Sequence, residues 1–385
     1  MLQHILIAFF SSLLAVMWIH PLVVKIAIEK NIVDNPDARK LQRVPIPVLG
    51  GCAVLFGILL GIGFTSTHCG CPSLFIIITA MTIMLYTGTM DDILSLSPRL
   101  RFIIEIMVVA LLVMANNQSI DNFYGLWGLN TINQWIAFPL TIFAAVGIIN
   151  AINLIDGVDG LSSGYGVMAS IAFAVLFSLA GDISMLTLAV VTAGSLIPFF
   201  FHNVFGKSSK MFIGDGGTLV LGVVFSSFVI NTLTDGSVVG KFADSGFGLI
   251  PFTLAALSIP VFDTLRVMLA RIARGISPFS PDKTHLHHLF IELGFSHAGT
   301  TVSILTLNTL IIILQLLSWQ LGCSVDVQLY IVIGASLLCT VGFYYGMKAM
   351  SDNNIFKRMI KVIGRASRIE RKGFFLAMQK FMDKI

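Results

Sequence analysis

Charge is what this sequence has least of. Asp, Glu, Lys and Arg make up 11% of its 385 residues, where soluble domains carry about 25%. Apolar side chains reach 56% and the mean hydropathy is +0.90, which excludes water as the main solvent of the fold. Soluble-domain stretches, low-complexity runs and internal repeats are missing as well. No Lys or Arg precedes Lys25, so the first apolar run lacks the basic leader of a secretory signal and is expected to stay as a span. Five cysteines, an odd number, provide no disulfide framework: Cys52 and Cys339 fall in apolar runs, and Cys69, Cys71 and Cys323 fall between them. His68 beside Cys69 and Cys71 reads as an ordinary loop more readily than as a zinc site. The His-Glu-x-x-His helix that an intramembrane metalloprotease needs does not occur.

What is present comes in apolar blocks of mostly about 15 to 20 residues, close to the length that crosses roughly 30 Å of hydrocarbon. The expected spans are 5–24, 48–65, 74–90, 102–114, 135–149, 161–179, 184–201, 218–232, 246–262, 302–321 and 328–347. The expected fold is therefore an all-α polytopic membrane protein of about eleven transmembrane helices. Alternate connections divide the bases very unequally. All of the 24 Lys and Arg except Lys241 fall on one side. Basic connections are retained in the cytoplasm, which places the N-terminus outside and the C-terminus inside a bacterial inner membrane. Residues 1–349 form the transmembrane domain and 350–385 a basic, amphipathic cytoplasmic tail. In that tail Lys357, Arg358, Lys361, Arg365, Arg368, Arg371 and Lys372 alternate with Phe356, Ile363, Phe374 and Phe375, a pattern suited to anionic lipid. A net charge of only +4 argues against a nucleic-acid partner.

The inner connections hold nearly every side chain able to do chemistry. In TGTMDDILSLSPRLR, the adjacent Asp91 and Asp92 sit where the third span ends, and paired acids there usually reflect function. In NAINLIDGVDGL, Asn150, Asn153, Asp156 and Asp159 recur every third residue, which on a helix makes one polar strip. That strip has no base within it and calls for a cation, while Gly157 and Gly160 permit close approach by a phosphate or nucleoside. MFIGDGGTLVLG places Asp215 between glycines at the start of the eighth span, where free amides favour anions. The longest inner connection, PVFDTLRVMLARIARGISPFSPDKTHLHHLF, puts Asp263, Arg266 and Arg274 near one helix face and ends in His285, His287 and His288. Arg and Lys suit diphosphate oxygens. The histidines could serve zinc, but with no Cys beside them and acids nearby a hard, oxygen-ligated ion fits better.

Together these features describe Mg2+-dependent chemistry on a phosphate substrate at the membrane surface, with hydrolase and transferase both open. A transporter is the rival reading, but transporters place functional charge near the bilayer midplane. Here Glu105 lies near an inner end and Asp182 in an outer turn. A scaffold protein would not explain four acidic clusters on one face.

VPIPVLGG, the Asp91–Asp92 pair, NAINLIDGVDGL, the GDGG segment and SPFSPDKTHLHH, in order from about Arg39 to His288, resemble the polyprenyl-phosphate N-acetylhexosamine-1-phosphate transferases, in particular the WecA type. The resemblance implies that a lipid phosphate oxygen attacks the β-phosphorus of a UDP-sugar with Mg2+ on the diphosphate, Mn2+ being an acceptable substitute. It implies UDP-GlcNAc and undecaprenyl phosphate as substrates, UMP as a product, and membrane lipids as surroundings; a homodimer is left open. By motif, Asp91 and Asp92 sit at the reacting phosphates, Asp91 as a candidate base, Asp215 and Asn153 hold Mg2+, and Asp156 and Asp159 face the nucleotide. Arg43, Arg101, Arg266, His285, His287 and His288 contact phosphates or sugar, and Asn150, Asn203 and Asp263 complete the substrate-facing set. A sister branch that uses UDP-MurNAc-pentapeptide has Lys three residues after the second Asp and an unbroken His triplet. Ser95 and Leu286 stand at those places and favour the N-acetylglucosamine branch.

Overall fold

The computed structural model describes residues 2–35, 44–65, 72–280, 282–367 and 372–384, which are helical almost throughout. Arg43 and the loop with His68, Cys69 and Cys71 lie outside the described residues. The order begins with α1 (Leu2–Glu29), α2 (Gly50–Thr65), α3 (Pro72–Leu94), α4 (Pro98–Asn116), α5 (Gln134–Leu154), α6 (Leu161–Ala180), α7 (Ile183–Phe205) and α8 (Gly214–Leu233). It continues with α9 (Ser237–Phe242), α10 (Leu249–Ala256), α11 (Ser258–Ala273), α12 (Leu286–Glu292), α13 (His297–Gln320), α14 (Val325–Leu337), α15 (Phe343–Ala349), α16 (Ile355–Ala366) and α17 (Phe374–Met382). Between α1 and α2, β1 (Val33–Asp34) and β2 (Ile46–Pro47) pair antiparallel.

Local chemistry sets the boundaries. Ser97 caps α4 by accepting from the Leu100 amide, with Pro98 in the first turn, and Asn117 in the left-handed region ends it. Asp182, Ser296 and Ser324 cap α7, α13 and α14 in the same way. Along α1, Leu6, Phe10, Leu14, Trp18 and Leu22 recur every fourth residue and are exposed, an apolar stripe that needs hydrocarbon rather than water.

Among the described residues, eight helical runs are long and apolar enough to cross a membrane, and the bent pair α10–α11 makes a ninth if counted as one span. Each of the eleven expected runs is helical, yet α2, with 16 residues, and α4, which carries Arg99, Arg101 and Glu105, do not meet that test. The ninth expected run, 246–262, differs most. It is broken by 75° at Leu257, and the sequence after it, expected as loop, continues as helix to Ala273. A break inside an apolar interior frees backbone groups that need partners. Asn308 of α13 supplies them: its Oδ1 accepts from Ile259 N at 3.0 Å and Ser258 Oγ at 2.9 Å, and its Nδ2 donates to Ala255 O at 3.2 Å. Tyr165 Oη donates to Ala256 O at 2.7 Å.

Helix α8 is the centre of the bundle, buried along nearly its whole length between α2, α3 and α5. Small residues allow this contact. A side chain at Gly88 would meet the Asp215–Gly216 backbone, one at Gly51 would meet Gly217, and one at Gly222 would come within 2.7 Å of Ile149 Cα. The first of these approaches brings the Asp91–Asp92 end of α3 against the start of α8. The VPIPVLGG segment fixes the same place: Phe212 N donates to Pro47 O at 2.8 Å, and Gly51 N to Ile213 O at 2.8 Å.

The polar connections gather at one end of the bundle. The tail helices dock there as well, with Phe375 of α17 against Phe205 of α7 at a ring separation of 5.0 Å rather than free for lipid.

Candidate active site

Arg101, in the first turn of α4, is the hub of one half of the site. Its Nη1 donates to Asp91 Oδ2 at 3.0 Å and Asp215 Oδ2 at 3.3 Å, its Nη2 to Asn153 Oδ1 at 3.5 Å, and its Nε lies 3.4 Å from Glu105 Oε1. Asn153 Nδ2 donates to Asp215 Oδ1 at 2.9 Å and to Thr218 Oγ1 at 2.8 Å. Asn150 donates to the other oxygen of Glu105, which is fully buried. Asp91 Oδ1 accepts from Leu96 N at 2.8 Å, so both of its oxygens are engaged. Asp92 Oδ2 accepts from Asp215 N at 2.9 Å. The acceptor at the N-terminus of α8 is thus the Asp92 side chain, and Gly214, at φ +70°, leaves room for it.

The expected polar strip divides. Asn150 and Asn153 occupy the last turn of α5, but the helix ends at Leu154, and Asp156 and Asp159 lie in the turn before α6. The bases that the strip lacks come from elsewhere. Asp159 Oδ2 accepts from Lys210 Nζ at 2.6 Å and from His297 Nδ1 at 2.8 Å. Burial opposes ionisation of Asp159, but the His297 hydrogen bond and the Lys210 charge outweigh it and hold its carboxyl below the usual range. Asp156 accepts from Ser162 Oγ at 2.7 Å. Asp156 is exposed by surface area, yet protein packed around it removes water from its carboxyl. Desolvation pushes its carboxyl up to about 7 against the Ser162 hydrogen bond, with the charges of Asp215 and Asp159 adding to the rise. Asn203 Oδ1 accepts from Gly160 N at 2.6 Å and its Nδ2 donates to Met211 O at 2.8 Å, tying this turn to the GDGG segment.

The histidine segment also departs from expectation. The space beside Gly157 is filled by the His287 ring, not left open for a phosphate. Asp263 Oδ1 accepts from Arg266 Nη2 at 2.6 Å, Asp263 Oδ2 accepts from His285 Nδ1 at 3.0 Å, and Leu286 N donates to both oxygens. Arg266 also stacks over Tyr344 at 3.8 Å. These three buried groups satisfy one another and seat α12, which carries His287. Leu286, the residue that interrupts the triplet, is buried in the core. Arg274 does not share the Asp263 face: α11 ends at Ala273, and Arg274 and Arg271 pair with Asp282 at 3.5 and 3.1 Å. Burial lowers the His287 imidazole well below its ordinary range, and His288 and His285 beside it add to that, so it is a neutral ring.

Glu105, Lys210 and His297 are members of the site that the motifs do not include. Glu105 carries a signal, an acid four residues after Arg101 inside an apolar run. Lys210 directly precedes MFIGDGG. His297 has no local signal, because only the tertiary fold brings it to Asp159.

A divalent cation can be tested against these groups. Asp91, Glu105 and Asp215 surround a single guanidinium and Asp92 holds the Asp215 amide, so acids outnumber the base, and the donors are all hard oxygens, as Mg2+ prefers. Among the described residues, no three His, Cys, Asp or Glu side chains are arranged to hold a metal by themselves. Mg2+ commonly takes only one or two carboxylates and completes its shell with water and substrate phosphates. Asp215 and Asn153 fit that pattern.

Residues 74–233 match glycosyl transferase family 4. The chain is 30% identical over 362 residues to a probable undecaprenyl-phosphate N-acetylglucosaminyl 1-phosphate transferase of Bacillus subtilis (strain 168), covering 93% of this chain and 98% of that protein. It is 26% identical to the undecaprenyl-phosphate alpha-N-acetylglucosaminyl 1-phosphate transferase of Yersinia pestis, over 89% of this chain and 92% of the relative. The protein of that name from Escherichia coli (strain K12) is 28% identical, over 71% of this chain and 72% of its own length. With its motifs gathered at one end of a helical bundle and a relative matched over nearly its full length, the chain belongs to the polyprenyl-phosphate N-acetylhexosamine-1-phosphate transferases of glycosyl transferase family 4.

Proposed function

We propose that this chain transfers N-acetylglucosamine 1-phosphate from UDP-GlcNAc to undecaprenyl phosphate, releasing UMP and starting a lipid-linked cell-surface glycan such as O-antigen or enterobacterial common antigen. One observation carries the reading: an apolar groove reaches Asn150, which hydrogen-bonds Glu105 at the edge of the acidic cluster. The groove encloses about 780 Å³ and is walled by Phe102, Ile106, Phe138, Val229, Leu254 and Leu265, with Asn150 on its lining. Asn150 binds Glu105, and Glu105 pairs with Arg101. An isoprenoid chain in the groove would hold its phosphate beside Arg101, Asp91 and Asp215.

At pH 7 a phosphate monoester, with a second pKa of about 6, is mostly ionised and is its own nucleophile. Its oxygen attacks the β-phosphorus of the UDP-sugar, the bond from that phosphorus to the bridging oxygen breaks, and UMP leaves with that oxygen. Arg101 places positive charge at the reacting phosphates. Asp91, with both oxygens engaged, orients Arg101 rather than taking a proton. Asp92 fixes the backbone of Asp215. Asp215 and Asn153 would hold Mg2+, or Mn2+ in its place, which neutralises diphosphate charge. Asp156, Asp159 and neutral His287 face the nucleotide side, and Asp263, Arg266 and His285 keep His287 seated.

The same reading places eleven crossings in a bacterial inner membrane with the N-terminus outside and the acidic end in the cytoplasm, where UDP-sugars are made. Residues 350–385 would lie along that surface. In α16, Ile355, Met359, Val362 and Ile363 are exposed on one side and Arg358, Lys361 and Arg365 line the other, suited to anionic lipid.

The test is a panel of UDP-sugars with undecaprenyl phosphate and purified protein, scoring both UMP and lipid product. UDP-GlcNAc is expected to give both in a Mg2+-dependent reaction. UMP without lipid product would mark a hydrolase, and no product from any UDP-N-acetylhexosamine would overturn the reading.

A further inference from the structure

Asp159 is held by two side chains, Lys210 and His297, and each of them is adjacent to a contact made by the C-terminal helices. His297 is the first residue of α13. The residue before it, Ser296, donates its amide to Ser367 Oγ at 3.1 Å and its hydroxyl to Ser367 O at 2.7 Å. The fit is close: the Ser367 side chain occupies the space where a Gly299 side chain would stand, and a Cβ at Gly364 would lie 2.6 Å from the Phe295 ring. Ser367 directly follows α16.

Lys210 ends the turn after α7. Three successive amides of that turn, those of Lys207, Ser208 and Ser209, donate to one oxygen of Asp383 at 2.9, 2.9 and 3.1 Å, and Ser209 Oγ joins them at 3.2 Å. Successive N–H groups converging in this way form an anion nest, and here the anion is a side chain from the end of α17. The turn is held from its other side by His20, whose Nε2 donates to Ser209 O at 2.8 Å. Lys210, the next residue, reaches Asp159.

We propose that α16 and α17 act as a strap that positions Asp159 through its two partners, Ser367 setting His297 and Asp383 setting Lys210. The tail then contributes to donor binding without touching the donor. The proposal rests on the reading of Asp159 as a nucleotide-side residue. Asp383 and Ser367 are positioning residues, and their loss is expected to appear in the KM for the UDP-sugar while kcat and the KM for the lipid stay close to their original values.

The experiment uses the full chain in detergent with Asp383→Asn, Asp383→Glu, Ser367→Ala and Asp159→Asn, alone and combined. Asp383→Asn is expected to raise the KM for UDP-GlcNAc about fivefold with kcat within about twofold, Asp383→Glu to recover most of that loss, and Asp383→Asn to add nothing in the Asp159→Asn background. Hydrogen exchange of the 156–160 segment, distant in sequence from both tail residues, reads the strap without any substrate and is expected to quicken in Asp383→Asn and Ser367→Ala. Unchanged exchange there, or an equal effect of Asp383→Asn with and without Asp159, overturns the strap. Faster exchange with a donor KM that ignores Asp159→Asn retains the strap and instead rejects the nucleotide-side reading.

Discussion

Asp92 Oδ2 accepts the backbone N–H of Asp215 at 2.9 Å, so the second acid of the adjacent pair caps the helix that presents the third. Asp92→Ala removes that cap and is expected to cost about 0.5–2 kcal/mol of stability, seen as a lower melting temperature in detergent together with lost activity. Asp215→Asn keeps the backbone donor and therefore the cap. It should melt like the parent while Mg2+-dependent UMP release falls by a factor of about 10² or more. Normal turnover in that variant removes Asp215 from the chemistry.

Arg101 offsets the charge of fully buried Glu105. Truncating it leaves an unpaired buried acid, a change that typically costs about 3–5 kcal/mol. Arg101→Ala is therefore expected to unfold at a markedly lower temperature, and Arg101→Ala with Glu105→Gln to regain much of the stability but none of the activity. If the double variant melts no higher than the single one, Glu105 is not the group that Arg101 stabilises.

For Asp156 the sign of the pH effect follows from its raised value of about 7. From about pH 3.9, the ordinary value of an unfolded Asp, up to about 7, the folded chain holds a proton that the unfolded chain has lost. Stability falls as pH rises through that window and is level above it. Asp156→Asn removes this contribution, so its melting temperature should exceed the parent's by more at pH 8 than at pH 4.5. A constant difference across that range contradicts the assignment.

Gly157 gives up its side-chain space to His287. Gly157→Ala should displace α12 and cost about 1–3 kcal/mol. Adding His287→Ala restores room, so the pair is expected to recover stability by thermal melting while activity stays low. A Gly157→Ala protein that melts like the parent would show that the ring moves freely.

Orientation is checked by reporters fused after Asp182 and after Met350, which should read outside and inside respectively. The reverse result inverts the proposed topology.

The helical runs were legible because an apolar run spanning a bilayer has few conformations open to it. The break at Leu257 was not, since what permits it, the Asn308 amide, lies about fifty residues away in sequence and within a different helix. The same limit governs the site. Asp91, Asp92, Asn153 and Asp215 announce themselves as polar groups at span ends, whereas Lys210 and His297 reach Asp159 only through tertiary contact. Three-residue spacing overstated the polar strip because it assumed that the helix continues, and α5 stops at Leu154. The histidines and Arg266 look like phosphate ligands in sequence, yet Asp263 takes up two of them in the interior.

The 75° turn at Leu257 has a kinetic consequence. Both limbs of the bent helix wall the apolar groove, and Leu265 and Phe102 on that wall are open to the outside of the bundle. The groove thus has a side door into the hydrocarbon. One substrate arrives by diffusing in two dimensions within the bilayer and the other in three dimensions from water. The reaction rate should therefore respond to the surface density of the lipid in a vesicle, not to its bulk concentration.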